Sequence, residues 1–138
     1  MISSRSKNAL KVLIYLSEKD KEEYISLKEI SDINDISLKY LEQIMPKLVR
    51  AKFVDAKLGK SGGYRLLKNA SDIKVWDIFL LYDEDVYIVN ELKENDSKAN
   101  LGKTMKMWEE FFKKEKEYFS NISIKDLSEE EYVLDFVI

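Results

Sequence analysis

The chain has 138 residues, carries 23 Lys+Arg against 26 Asp+Glu for a formal net charge of −3, and contains neither cysteine nor histidine. Those two absences exclude disulfides, thiolate or imidazole metal sites, iron–sulfur clusters on cysteine ligands, and Ser-His-Asp or Cys-His nucleophile pairs. Whole-chain acidity, taken alone, argues against nucleic acid as a partner.

This length fits one domain, or one domain with an appended helical arm. With 45% hydrophobic and 36% charged residues the chain is globular, and one proline with four glycines points to mostly helix. No apolar run approaches the ~20 residues that span a bilayer. The first eight residues contain no apolar segment of a secretory signal, so a cytoplasmic protein without a membrane partner is expected.

Ser4 to about Glu18 reads as a first helix, with Ala9, Leu10, Leu13, Ile14 and Leu16 at helical spacing. After a polar break, Ser26 with Glu29 forms the capping-box pattern and opens a short helix over Leu27 to Ile33. Asn34-Asp35-Ile36 is a tight turn. Ser37 is the next N-cap, opening a helix to about Ala51 whose buried stripe is Leu38, Leu41, Ile44 or Met45, and Leu48. Lys39, Tyr40, Gln43 and Lys47 then lie off that stripe and face outward. Pro46 removes the bond to the Glu42 carbonyl, so a kink or an early end is expected there.

Phe53 to Lys57 and Tyr64 to Leu67 read as two short strands around the glycine-rich tip Leu58-Gly59-Lys60-Ser61-Gly62-Gly63. Ile73 to Leu81 reads as a short helix that covers the core with Val75, Trp76, Ile78 and Phe79. Asp83 to Asn100 is acidic, weakly patterned and expected to be a loop, with Asp83-Glu84-Asp85 solvated. Leu101 to Asn121 is the longest helical pattern, and Leu101, Met105, Trp108, Phe111, Phe112, Tyr118 and Phe119 line one broad face. Ser123 with Asp126 resembles a further cap, ahead of the apolar tail Tyr132 to Ile138. No spacing supports a catalytic pair of acids or a carboxylate metal site, so no enzyme activity, metal or cofactor is expected.

Two helices joined by a tight turn and followed by a hairpin make a winged helix-turn-helix. The expected fold is mainly α (α+β). It comprises a winged helix-turn-helix domain over residues 1–82, a connection over 83–100, and a dimerisation helix with its tail over 101–138. In this geometry the second helix enters the major groove with its N-terminal residues nearest the bases. There Ser37 suits a phosphate oxygen, Gln43 an adenine edge, and Lys39 guanine or phosphate. The wing would bring Lys60 to phosphates, with Gly62-Gly63 allowing close backbone approach; the plainer reading of those glycines is a hairpin turn. Tyr40 and Gln43 likewise have a plainer reading as ordinary exposed helix residues.

Charge distribution removes the objection raised by net charge. Residues 1–74 hold 15 Lys+Arg and 10 Asp+Glu, a net of +5, whereas residues 75–138 hold 8 and 16, a net of −8. Residues 36–68, the second helix and the wing, hold 8 basic and 2 acidic residues, or +6. Basic charge lies where this fold meets DNA. The aromatic face of the long helix would be buried by antiparallel crossing with a second copy, which also supplies two reading helices for a palindrome.

Ile36-Ser37-Leu38-Lys39-Tyr40-Leu41-Glu42-Gln43-Ile44 and Lys60-Ser61-Gly62-Gly63-Tyr64-Arg65-Leu66 resemble the IscR/CymR-type (Rrf) transcription regulators. The likeness extends through Ala70 to Ile78, to Met107-Trp108 and to Asn121 through Leu127. It implies a homodimeric DNA-binding regulator, usually a repressor, with a crossed or swapped long helix and an effector or partner protein still to be identified. By position, Ser37, Lys39, Tyr40, Glu42 and Gln43 look like recognition-helix contacts, Gly59 to Tyr64 like the minor-groove wing, and Arg5 like a phosphate contact. Lys47, Lys57, Lys60 and Ser61 complete the candidate DNA surface. The candidate dimer surface is Leu101, Met105, Trp108, Phe111, Phe112 and Phe119.

Three departures stand out. Cluster-binding members carry three cysteines in the connection before the dimer helix, where this chain has none, so no cluster is expected. Leu58 replaces an arginine common before the first wing glycine, and Asn8 and Pro46 replace the usual residues in their helices. Leu58 and Pro46 support an alternative, a winged helix that binds proteins and has lost DNA binding.

Overall fold

A computed structural model of the chain describes residues 2–83 and 99–129. In order it contains α1 (Ser4–Ser17), α2 (Leu27–Asn34), α3 (Leu38–Arg50), β1 (Val54–Lys57), β2 (Gly63–Leu66), a 3-10 turn (Ala70–Asp72), α4 (residues 75–83), α5 (Ala99–Ser120) and α6 (Ile124–Glu129). The expected fold class is observed: a helical domain with one antiparallel two-stranded wing and a long C-terminal helix.

Serines start the three leading helices. Ser3, Ser26 and Ser37 each sit in extended backbone, and their side chains accept the amide hydrogens of Ser6, Glu29 and Tyr40. Each satisfies one of the four amides that a helix start leaves free. Only half of the Ser26 capping box forms, because the Glu29 carboxylate turns to the Tyr15 hydroxyl and to Lys19, 3.7 Å away. Asp35, in the left-handed region at φ 54°, ends α2 by donating its amide to the Ser31 carbonyl. Ile36 beside it is buried, which fixes the turn into α3.

α3 runs through Pro46 without an early end. The proline is exposed, so the Glu42 carbonyl it leaves without an intrahelical donor faces the water side. Leu41, Ile44, Met45 and Leu48 are buried beneath and hold the helix across the gap. Leu38 does not belong to that stripe: it is 45% exposed, and half-buried Tyr40 packs on the core instead. The first turn of α3 thus departs from the burial period that the remaining turns follow. Lys52, at φ 63°, closes α3, with its amide on the Val49 carbonyl and that of Phe53 on Leu48.

β1 and β2 pair antiparallel, Val54 opposite Leu66 and Lys57 opposite Gly63. Ile25 adds an isolated rung to β2 by exchanging both main-chain hydrogen bonds with Tyr64, each 2.8 Å. The wing is therefore anchored to the segment before α2 as well as to α3.

The core joins α1, α2, α3 and α4 through Val12, Leu13, Ile30, Leu41, Ile44 and Ile78. A second cluster of Val75, Trp76 and Phe79 is covered by Leu10, Phe119, Ile122 and Leu127. Residues 122–129 thus return to the winged-helix body. Ile124 is fully buried, and its amide and that of Val75 bond to the Ile73 and Ile122 carbonyls, each at 2.9 Å. The Ser123–Asp126 cap forms in both directions, at 2.9 and 3.0 Å. Those main-chain bonds, the packing of half-buried Phe119 and the burial of Ile124 tie the end of α5 and α6 to α4 and the segment before it.

Asp83 corrects the expected loop boundary: it closes α4 and is buried, and Ala99 and Asn100 already belong to α5. The Glu84–Asp85 part of the solvated cluster, the rest of the connection and the tail Tyr132 to Ile138 lie outside the described residues.

Candidate nucleic-acid interface

The outward side of α3 opposes its buried stripe. Lys39, Glu42, Gln43, Pro46 and Arg50 are exposed there, at the spacing that puts them on one side of a 3.6-residue helix. Ser37 precedes them. Its oxygen is taken by the Tyr40 amide at 3.1 Å, which leaves its own proton for an outside acceptor. The amides of the first turn and the helix dipole add partial positive charge at the same place. Arg50 was not among the residues singled out in the sequence. Its helical spacing from Lys39 and Gln43 was the available signal, and its place near the helix end obscured it.

Not every candidate faces outward. Lys47 is half-buried and folds back, its ammonium 3.3 Å from the Leu81 carbonyl and 5.5 Å from the Tyr82 ring centroid. Tyr40 is partly spent on the core. Arg5 is exposed in the first turn of α1.

On the wing, Lys57, Lys60 and Ser61 are exposed, and Leu58 is 96% exposed at the tip. The two adjacent glycines are required by the chain itself. A Cβ on Gly62 would lie 2.1 Å from the Lys57 carbonyl oxygen, and one on Gly63 would lie 2.2 Å from that of Ile25. Their close approach is thus to their own backbone. Tyr64 packs half-buried on the core between these contacts.

The +6 of this region is reduced locally. Arg65 stacks on the Tyr24 ring at 4.3 Å and pairs with Asp55 and Glu22, each at 3.4 Å. The Tyr24 hydroxyl donates to Asp55 at 2.7 Å, and this bond to a carboxylate holds its pKa above the usual phenol value. Lys57 lies 5.5 Å from the same ring and Lys68 5.5 Å from Phe53. Lys39, Arg50, Lys52 and Lys60 make no ion pair among the described residues and carry the remaining field.

The sequence pattern of the Rrf2 family, described as an iron-dependent transcriptional regulator, matches residues 2–130. The chain belongs to the Rrf2 family. Family membership agrees with the resemblance drawn from the α3 and wing motifs. The family's description names a transcriptional regulator, as the resemblance implied.

Among relatives, the transcriptional regulator IscR of Cereibacter sphaeroides is 40% identical over 87 residues, 62% of this chain and 56% of that protein. The protein rrf2 of Nitratidesulfovibrio vulgaris is 32% identical over 83 residues, 60% of this chain and 55% of that protein. These two matches span little more than half of each relative's length. IscR of Photorhabdus laumondii is 28% identical over 97% of this chain and 82% of its own. Among solved structures, oxidised CymR of Staphylococcus aureus superposes with a TM-score of 0.77 at 27% identity, covering 96% of this chain and 99% of that one. T. potens IscR gives 0.74 at 25% identity, covering 99% and 96%.

The iron in the family's description does not fit this chain's donor set. The sequence offers no thiolate or imidazole, and among the described residues no three carboxylates converge as metal ligands. No helix of the described residues is long and apolar enough to cross a membrane.

Among the candidate dimer residues, two on α5 are exposed. Trp108 and Phe111 are 44% and 49% exposed, with ring centroids 6.3 Å apart, and Phe111 lies 5.4 Å from Phe112. Met105 is half-buried. Phe119 instead meets Phe79 of its own chain, edge to face at 4.7 Å. The Leu101 side chain lies outside the described residues.

Proposed function

We propose that this chain is a sequence-specific DNA-binding transcriptional regulator that acts as a homodimer on an inverted repeat and represses by occupying promoter DNA. The observation that carries this reading is the outward side of α3. There Lys39, Glu42, Gln43 and Arg50 stand exposed beside a capped helix start, and neither of the two cations is in an ion pair among the described residues. Ser37, Lys39, Glu42 and Gln43 read or position the duplex, helped by the exposed part of Tyr40. Arg5, Arg50, Lys57 and Lys60 contact phosphates, and Ser61 through Tyr64 shape the wing. Lys47 acts through α4 instead. Double-stranded DNA is the partner, and the site of action is the cytoplasm. The signal is an effector or partner protein other than an iron–sulfur cluster on this chain's own ligands.

Selection of bound sites from random duplexes tests the reading. An inverted repeat is expected, with affinity falling as salt rises. Gln43→Ala should change base preference, whereas Lys60→Ala should weaken all sequences alike and flatten the salt dependence by about one unit of slope. The bare apolar tip at Leu58 favours a second reading, a winged helix that docks on a protein. Failure to enrich any motif at low salt would select it.

A further inference from the structure

Two apolar side chains interrupt the polar side of α3. Leu38, expected in the core, is 45% exposed, and Pro46 is exposed inside the helix. They share a row with Glu42, each residue four positions from the next, so the outward side presents apolar, acidic and apolar groups in line beside Lys39 and Gln43. A proline inside a helix costs about 3 kcal/mol, and this one fills no core space that would offset it. Leu38, at the helix start, leaves nearly half of its apolar surface in water. Violations of local rules concentrate where a surface has work to do.

Given the DNA-binding reading above, on which this rests, we infer that Leu38 and Pro46 contact thymine methyl groups in the major groove. The charge of the surrounding surface fits that occupant: Lys39 and Arg50 flank the row on the same helix, and Lys52 and Lys60 follow it. The thymine methyl is the apolar feature of the major groove and a usual partner for aliphatic side chains. Leu38 and Pro46 lie about 12 Å apart along the axis at ~1.5 Å per residue, which spans roughly three to four base-pair steps of ~3.4 Å. Each half-site is therefore expected to hold two thymine-containing pairs separated by that distance, with the Glu42 carboxylate over a pair between them.

The test uses the full chain and a duplex selected by it from a random pool. Each thymine of one half-site is replaced in turn by deoxyuridine, which removes the methyl and keeps base pairing. Wild type should lose about fourfold in affinity at each of two positions, the worth of one desolvated methyl. Leu38→Ala should abolish the loss at one position, and Pro46→Ala at the other. Both residues are exposed, so both variants fold, and Pro46→Ala should melt higher than wild type. If no replacement weakens wild-type binding, or if both variants keep wild-type sensitivity, the inference is wrong while the regulator reading stands. If no duplex is enriched at all, both are wrong.

Discussion

The Tyr82 hydroxyl donates a 2.7 Å hydrogen bond to the main-chain carbonyl of Ile44, in the middle of α3. Tyr82 is 6% exposed, and burial pushes its pKa above the usual phenol value of 10.0. With Lys47 reaching the Leu81 carbonyl, the last turn of α4 grips α3 at two points. Tyr82→Phe removes one bond and leaves a packed ring, so a loss of about 1 kcal/mol is expected in urea unfolding. A raised folded-state pKa favours the protonated phenol in the native state. Its contribution is complete below pH 10 and is lost as pH rises from there through the folded value. Wild-type stability should therefore decline above that pH more steeply than that of Tyr82→Phe. Parallel curves for the two proteins would show that the phenol is not sheltered.

Asp83, one residue on, secures the other flank of the domain. Its carboxylate accepts the Ser6 hydroxyl at 2.5 Å and the Ser3 amide at 3.3 Å, at the positive start of α1. Ser6 is fully buried, and no buried side-chain polar atom among the described residues lacks a partner. Asp83→Ala should cost about 2 kcal/mol by leaving the serine hydroxyl unpaired; Asp83→Asn should cost less, because its amide oxygen still accepts. The double variant Asp83→Ala with Ser6→Ala should be less destabilised than the sum of the singles. Strict additivity would mean the two groups do not interact.

Much of this arrangement is legible in the sequence, and the unread part has identifiable causes. The caps at Ser26 and Ser37, the turn at Asp35 and the hairpin follow from local rules that need no tertiary partner. The Leu41, Ile44, Met45 and Leu48 stripe is equally plain because its neighbours obey the same period. Leu38 departs because exposure at the first turn is set by tertiary packing, which the helical period does not carry. Asp83 reads as the start of an acidic loop, since nothing local reveals that the N-terminus of α1 will meet it. Phe119 shares the stripe of α5, but only the return of residues 122–129 to α4 shows that Phe79 receives it. Pro46 marks a break by its own geometry, which the packed underside of α3 overrides.

The wing glycines separate two kinds of cost. Gly59 has φ 104° with open space around it, so Gly59→Ala meets only backbone strain, about 1 kcal/mol. Gly63→Ala drives a Cβ into the Ile25 carbonyl and breaks the Ile25–Tyr64 rung, so about 3 kcal/mol is expected. Amide exchange offers a sharper readout than melting: Gly63→Ala should expose the amides of Ile25 and Tyr64, and Gly59→Ala should leave both protected. Equal effects of the two changes would contradict the close approach at Gly63.

The aromatic stripe of α5 sets the last expectation. Trp108 and Phe111 are about half exposed, so covering them removes on the order of 100 Å² per ring. Four such rings in a symmetric dimer contribute on the order of 10 kcal/mol at ~25 cal/mol/Å², an upper bound. Trp108→Ala combined with Phe111→Ala should therefore raise the dimer dissociation constant at least ~1,000-fold, equivalent to ~4 kcal/mol. Sedimentation of both proteins at matched concentration measures the shift. The variant should keep the melting behaviour of the winged-helix body, because Phe119, Ile122 and Leu127 carry the contact to Val75, Trp76 and Phe79. A wild-type chain that sediments as a monomer, or a variant that stays dimeric, would remove the stripe from the assembly interface.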